Sequence, residues 1–326
     1  MHTRTLIRRG IGVLLLAAAL CANAFASFFG QELLAEIAIL AIFALSLDIL
    51  ATCGLVSFGH AGLLGVGAYV FGGLTVLAGA SPATALVGAV AAGLLAAFVV
   101  GLFAVRTSGA FFIMVTLAVA EMFFAWAFRS RLFNGADGMG GVPRLDLGAI
   151  GLDMNDPARF ALTLVLCCAF VWIALEVVLA SPFGRTLDAV RQNANRVAAL
   201  GGRVFALRLA AFSLSGALAA FAGALKVQHT NFMSPDIASW FVSGDVLIAV
   251  VIGGIGTLVG GVLGAAILVL LKDSLSGLFG HWYLILGAIF IVVAIAMPRG
   301  LVGALLEAVD ARQARTRSQR DEEKER

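Results

Sequence analysis

Apolar runs about as long as a bilayer is thick follow one another through almost the whole chain, and that repetition limits the fold more than any single motif. They occupy residues 11–29, 33–52, 54–74, 83–105, 110–128, 160–179, 205–228, 242–271 and 282–297. A hydrocarbon core about 30 Å thick is crossed by about 20 helical residues. Within it the backbone finds no water, so each crossing must satisfy its own N–H and C=O groups, as a helix does. Composition agrees: 61% of the residues are hydrophobic and 13% charged. Soluble domains carry about 45–50% and about 25%. The expectation is an all-α integral membrane protein, a polytopic bundle of about eight to ten transmembrane helices. Residues 1–303 make one membrane domain, and 304–326 a charged tail.

Two of the runs are dense in glycine. Residues 54–74 read GLVSFGHAGLLGVGAYVFGGL. Gly59 and Gly62 let neighbouring backbones approach and permit a break beside a water-filled path. In 242–271, Gly256, Gly260 and Gly264 form a GxxxGxxxG run suited to tight helix contact. That region is either two spans or a re-entrant pair. The longest polar connection, 129–158, reads as turns and short strands because of its glycines and prolines.

One stretch interrupts the apolar pattern: SPFGRTLDAVRQNANRVAALGGRV, residues 181–204. As a helix it puts Phe183, Leu187, Val190, Ala194 and Val197 on one face. Arg185, Asp188, Gln192, Asn195 and Arg196 lie away from it. Ser181 can be the N-cap, Pro182 the first helical residue, and Gly201–Gly202 a left-handed stop. The segment is too polar to cross a bilayer. It is either a surface helix on lipid headgroups or a docking element that offers its hydrophobic ridge to something else.

Charge gives an orientation. With ten spans and the N-terminus inside, 16 of the 22 Lys/Arg fall inside and six outside, as the positive-inside rule requires. Residues 181–204 and both termini are then cytoplasmic, and 129–158 is external. The first helix, which ends near Ala24-Phe25-Ala26, is either a cleaved signal or a retained span. Cys21, Cys53, Cys167 and Cys168 read as small buried apolar residues. Lys226, Lys272 and Lys324 are the lysines, and none lies in a P-loop for ATP. Nothing suggests a metal cluster, a cofactor loop, a catalytic nucleophile or a nucleic-acid partner, so an enzyme is not expected.

Several blocks read together: LSLDILATCGLVSFGHAGLLGVGAYV at 45–70, VRTSGAFFIMVTLAVAEM at 105–122, NGADGMGGVPR at 134–144, the 181–201 stretch, VVIGGIGTLVGGVLGA and PRGLVG at 298–303. In this order, over about residues 30 to 303, the chain resembles the LivM-type permeases of branched-chain amino acid ABC transporters. Related permeases for urea and short amides share most of these blocks. The resemblance implies a bacterial inner-membrane subunit that pairs with a second permease, binds two cytoplasmic ATPases below and receives an amino acid from an extracytoplasmic solute-binding protein above. It implies no cofactor. It also implies that Ser181, Phe183, Gly184, Arg185, Leu187, Ala189, Arg191, Asn193, Ala198 and Gly201 belong to the coupling helix that meets the ATPase. A stand-alone secondary transporter, the alternative from another class, has no need of such a helix.

Polar groups inside apolar runs mark a pathway by default, because they are expensive at membrane depth. Ser57, His60, Thr116 and Glu121 are the candidates. Each is alternatively a satisfied interhelical hydrogen-bonding group or, for Glu121, a residue close enough to an interface to be wet. Asp48 reads as a hydrogen-bonding group near a helix end. A conducting path should bind its solute weakly, since release matters as much as capture.

Overall fold

A computed structural model describes residues 2–146, 153–278, 281–297 and 300–305. Pro298, Arg299 and nearly all of the tail expected at 304–326 lie outside them. The apolar runs fold as helices α1 (His2–Phe25), α2 (Phe28–Ala51), α3 (His60–Gly72), α4 (Pro82–Ala104), α5 (Ala110–Arg129), α6 (Pro157–Ala180), α8 (Val204–Thr230), α9 (Trp240–Gly253), α10 (Val259–Leu278) and α11 (Trp282–Ala296), and the polar stretch folds as α7 (Pro182–Ala199). Among the described residues, seven helical segments are long and apolar enough to cross a membrane, and three shorter apolar helices accompany them. The chain is a multi-pass, all-helical membrane protein.

The bundle is organised around α2 and α8. The second half of α2 is buried throughout because α6, α8 and α10 surround it. Helix α8 packs on α3 and α4 with backbones almost touching. A Cβ on Gly223 would lie 1.9 Å from the Leu64 carbonyl oxygen, and one on Gly67 would lie 2.0 Å from that of Ala220. Small residues of this kind replace the hydrophobic drive that lipid does not supply. The connection at 130–146 forms tight turns and a two-residue strand, β1 (Met139–Gly140), paired antiparallel with β2 (Phe232–Met233). Arg144 anchors it by donating to the Met154 carbonyl at 3.0 Å and stacking over Phe160.

Two spans are broken. The 54–74 run does not cross as one helix. Cys53, Leu55 and Ser57 are buried in a non-helical link, and α3 starts only at His60, inside the bundle, before passing into a π-helical turn at Gly73–Leu77. The 242–271 run is a helical hairpin. Its first arm, α9, has 14 residues, about 21 Å of helix at 1.5 Å per residue, short of the about 30 Å of hydrocarbon. Its turn takes positive φ at Gly254, Gly256 and Leu258.

The glycine expectations divide at that turn. A Cβ on Gly264 would lie 1.8 Å from the Ala249 carbonyl oxygen, and one on Gly260 would lie 2.6 Å from that of Gly253, so these two close the hairpin. Gly256 does not pack at all; nothing lies within 4 Å of a Cβ placed there, and its φ is +78°. It serves the turn, because the helix assumed for the GxxxGxxxG pattern stops short of it. Gly59 and Gly62 do pack, against Thr116 and Ala120 of α5. Among the cysteines, Cys53 and Cys168 are buried and Cys167 is half-buried, but Cys21 is exposed on α1, where a lipid-facing position needs no partner helix.

Candidate functional site

Helix α7 lies across one end of the bundle. It begins after Ser181, whose backbone is extended as in an N-cap, with Pro182 in the first turn. The Ser181 hydroxyl does not cap it, however. It donates back to the Val178 carbonyl at 2.6 Å, because α6 runs into α7 with almost no linker. Gly184 is needed at this corner, where a Cβ would lie 2.3 Å from Leu179 Cα. The helix ends in a Schellman motif: Gly202 N–H donates to Val197 O, Gly201 N–H donates to Ala198 O, and Gly201 has φ +83°.

The ridge faces the other way from the expectation. Leu187 and Val190 are buried, and Phe183 packs against the same core. The first half of the apolar face therefore roots α7 in its own bundle, against α6 and α8, while Ala194 and Val197 stay half-buried. Arg185, Arg191, Gln192, Asn195 and Arg196 are exposed, Ala189 is half-buried, and Ala198 is exposed. Asp188 accepts from Arg191 at 2.7 Å and from Gln192 at 2.8 Å. Among the described residues Arg185 has no ion-pair partner. Asn193 is exposed and non-helical, with φ −161° and ψ 96°. Its Oδ1 accepts the Arg196 N–H at 2.9 Å, the bond an N-cap makes. The 182–199 stretch is thus two short helices with an internal cap.

Three of the four pathway candidates converge on the buried start of α3. His60 Nε2 lies 2.7 Å from Ser215 Oγ on α8, and that hydroxyl in turn donates to the Ser46 carbonyl on α2. A hydroxyl has one proton, so Ser215 can only accept from His60. The imidazole therefore carries its proton on Nε2, and buried Nδ1 has no partner among the described residues. Ser57 accepts the Gly59 N–H at 3.1 Å. Thr116 donates to the carbonyls of Phe112 and Ile113 on its own helix and supports Gly59 from outside. A cavity of 190 Å³ lies alongside, between α3, α4, α5 and α8, lined by Gly59, Gly62, Thr116 and Phe212. Glu121 sits farther along α5, half-buried, with Oε1 unpartnered among the described residues, and shares no hydrogen bond with the other three.

Sequence reasoning missed Ser243 of α9, which accepts the Ala61 N–H at 2.9 Å and so caps α3. It placed Asp48 near a helix end without its partner. The Asp48 carboxylate accepts the N–H of Gly256 at 2.5 Å and of Leu258 at 2.6 Å, pinning the α9–α10 turn to α2. Gly300 rests on Gly254 of that turn, and Gly54, beyond the end of α2, faces Arg191 of α7. A continuous set of contacts therefore joins α7, the broken link and the hairpin turn. Among the described residues no group of three His, Cys, Asp or Glu could hold a metal.

A bundle with two interrupted spans, buried polar groups at one break and a polar surface helix at one end is an architecture suited to a membrane transport permease. Residues 31–294 match the family described as the permease component of branched-chain amino acid transport systems, and the chain belongs to that family. It is 28% identical over 279 residues to the high-affinity branched-chain amino acid transport system permease protein LivM of Escherichia coli K12, covering 76% of this chain and 64% of that protein. The chain thus spans just under two thirds of the length of that curated relative. It is also 29% identical over 147 residues to the ribose import permease protein RbsC of Bacillus subtilis, covering 43% of this chain and 44% of the relative. A solved chain described as a metal-chelate type ABC transporter in an inward-facing conformation shares the fold at 17% identity, with a TM-score of 0.50 over 95% of this chain and 99% of that one.

Proposed function

We propose that this chain is the permease subunit of a bacterial inner-membrane ABC importer for branched-chain amino acids. The observation that carries this reading is α7: a polar helix whose buried Leu187 and Val190 root it in the bundle while Arg185 and Arg191 face outward. Two cytoplasmic ATPases close as rigid bodies on ATP, and a stiff rooted element is what can receive such a motion. Exposed arginines can pair with carboxylates of the ATPase and set the register. A second permease completes the path, and a solute-binding protein delivers the amino acid at the opposite end, where the 130–146 connection lies. Ser57, His60, Thr116 and Glu121 line or flank the route. The LivM similarity supports the substrate class, and the 16-to-six division of basic residues supports cytoplasmic termini.

The test is uptake of labelled leucine into proteoliposomes. Uptake should require ATP, both ATPases and the loaded binding protein. Ion-gradient-driven uptake by this chain alone would make it a secondary carrier instead, and import of urea but not leucine would reassign the substrate.

A further inference from the structure

A second cavity, of 170 Å³, lies at the end opposite α7, where α2, α3, α8, α9 and α10 meet. Its floor is aliphatic and aromatic: Ile39, Leu40, Phe43, Leu64, Val242 and Val269. Its rim holds four charges in two ion pairs. Lys226 Nζ lies 3.1 Å from Glu36 Oε1, and Lys272 pairs with Asp245. All four side chains are partly exposed, between 27% and 48%, so the rim opens outward. The two pairs line the same cavity.

Two carboxylates and two ammonium groups over an apolar floor match one chemistry: an ammonium, a carboxylate and an aliphatic side chain on a single carbon. Neutral urea would gain little from the floor, and a sugar little from the charges. We infer that this cavity is a reception subsite for a zwitterionic aliphatic α-amino acid, whose ammonium faces Glu36 and Asp245 and whose carboxylate faces Lys226 and Lys272. The inference rests on the importer reading above and gives it a place where the solute first meets the membrane subunit. Because each rim charge already has a partner, admitting a zwitterion exchanges one set of ion pairs for another. The gain is small and the hold is weak, as a path requires.

The experiment uses the complete transporter in proteoliposomes, with saturating leucine-loaded binding protein, reading labelled leucine uptake and ATP hydrolysis together. Asp245→Asn with Lys272→Met removes one pair at constant net charge. Uptake should fall at least ten-fold while binding-protein-stimulated hydrolysis stays within two-fold. Asp245→Lys with Lys272→Asp keeps a bond between α9 and α10 but reverses the field, and should transport as poorly. Uptake within two-fold of the unaltered complex in either variant makes the pair a structural clamp and overturns the inference. A measurement independent of these folds uses Val242→Cys in the complex without binding protein. Leucine should slow its modification by a maleimide, and urea and 4-methylpentanoate should not; equal protection by urea also overturns the inference. Failure of the unaltered complex to import any amino acid would instead sink the importer reading itself, and this inference with it.

Discussion

Asp48 shows how much one buried charge can hold. Leu258, fully buried, sits in the left-handed region at φ +53°, a conformation that costs a branched residue of order 1–3 kcal/mol and persists only when its surroundings enforce it. The Asp48 carboxylate enforces it by taking the N–H groups of Gly256 and Leu258. Hydrogen bonds to a charged acceptor are worth about 1.5–3 kcal/mol each, and the orphaned donors add a desolvation cost. Asp48→Ala should therefore destabilise the protein by about 3 kcal/mol. Asp48→Asn, which keeps one acceptor oxygen, should cost less. Thermal unfolding in detergent checks the order; a midpoint for the alanine variant equal to that of the parent would mean that the turn is held by other contacts. The His60–Ser215–Ser46 relay is the second such economy, where one hydroxyl fixes a histidine tautomer and ties α3 to α8 and α2.

Helix α7 has one face rooted in the bundle and an exposed face proposed to dock the ATPase, and the two faces predict different failures. Leu187→Asp places a carboxylate in a fully buried site, at a cost of several kcal/mol, and should lower the amount of folded chain. Arg185→Glu with Arg191→Glu alters only exposed groups and breaks a surface pair to Asp188 worth about 0.2–1 kcal/mol. That variant should fold normally, lose co-purifying ATPase and lose uptake by at least ten-fold. Normal uptake and normal co-purification would show that this face docks nothing. The ends of α7 were legible in the sequence, because Pro182 and Gly201 are residues whose backbone preferences act locally. The direction of its ridge was not. A 3.6-residue period says which face is apolar and nothing about what covers it, and the cover comes from helices far away in the chain. The internal cap at Asn193 left only the weak signal of an asparagine within a helical pattern. Gly256 misled for a related reason: glycines four apart share a face only while one helix runs through them, and the chain turns at Gly254.

Taken whole, the molecule has two unlike ends. One carries α7, the broken link, the hairpin turn and the Arg9–Glu176 contact; the other carries the 130–146 connection, the β1–β2 pair and the four-charge rim. Spans and their order could be read from hydropathy, because each run is set by its own length. The breaks at His60 and Gly254 could not be placed, since burial of non-helical backbone depends on caps from Ser243 and Asp48 in other helices. The proposed orientation rests on basic residues alone, and labelling can test it. Leu200, at the tip of the α7 stop, is 84% exposed, and Ala136 is exposed at the opposite end. In a background with exposed Cys21 changed to Ser, Ala136→Cys should react with a membrane-impermeant maleimide in intact spheroplasts. Leu200→Cys should react only in inverted vesicles. The reverse pattern would put α7 outside the cell, beyond the reach of any cytoplasmic ATPase, and no coupling role for it could survive.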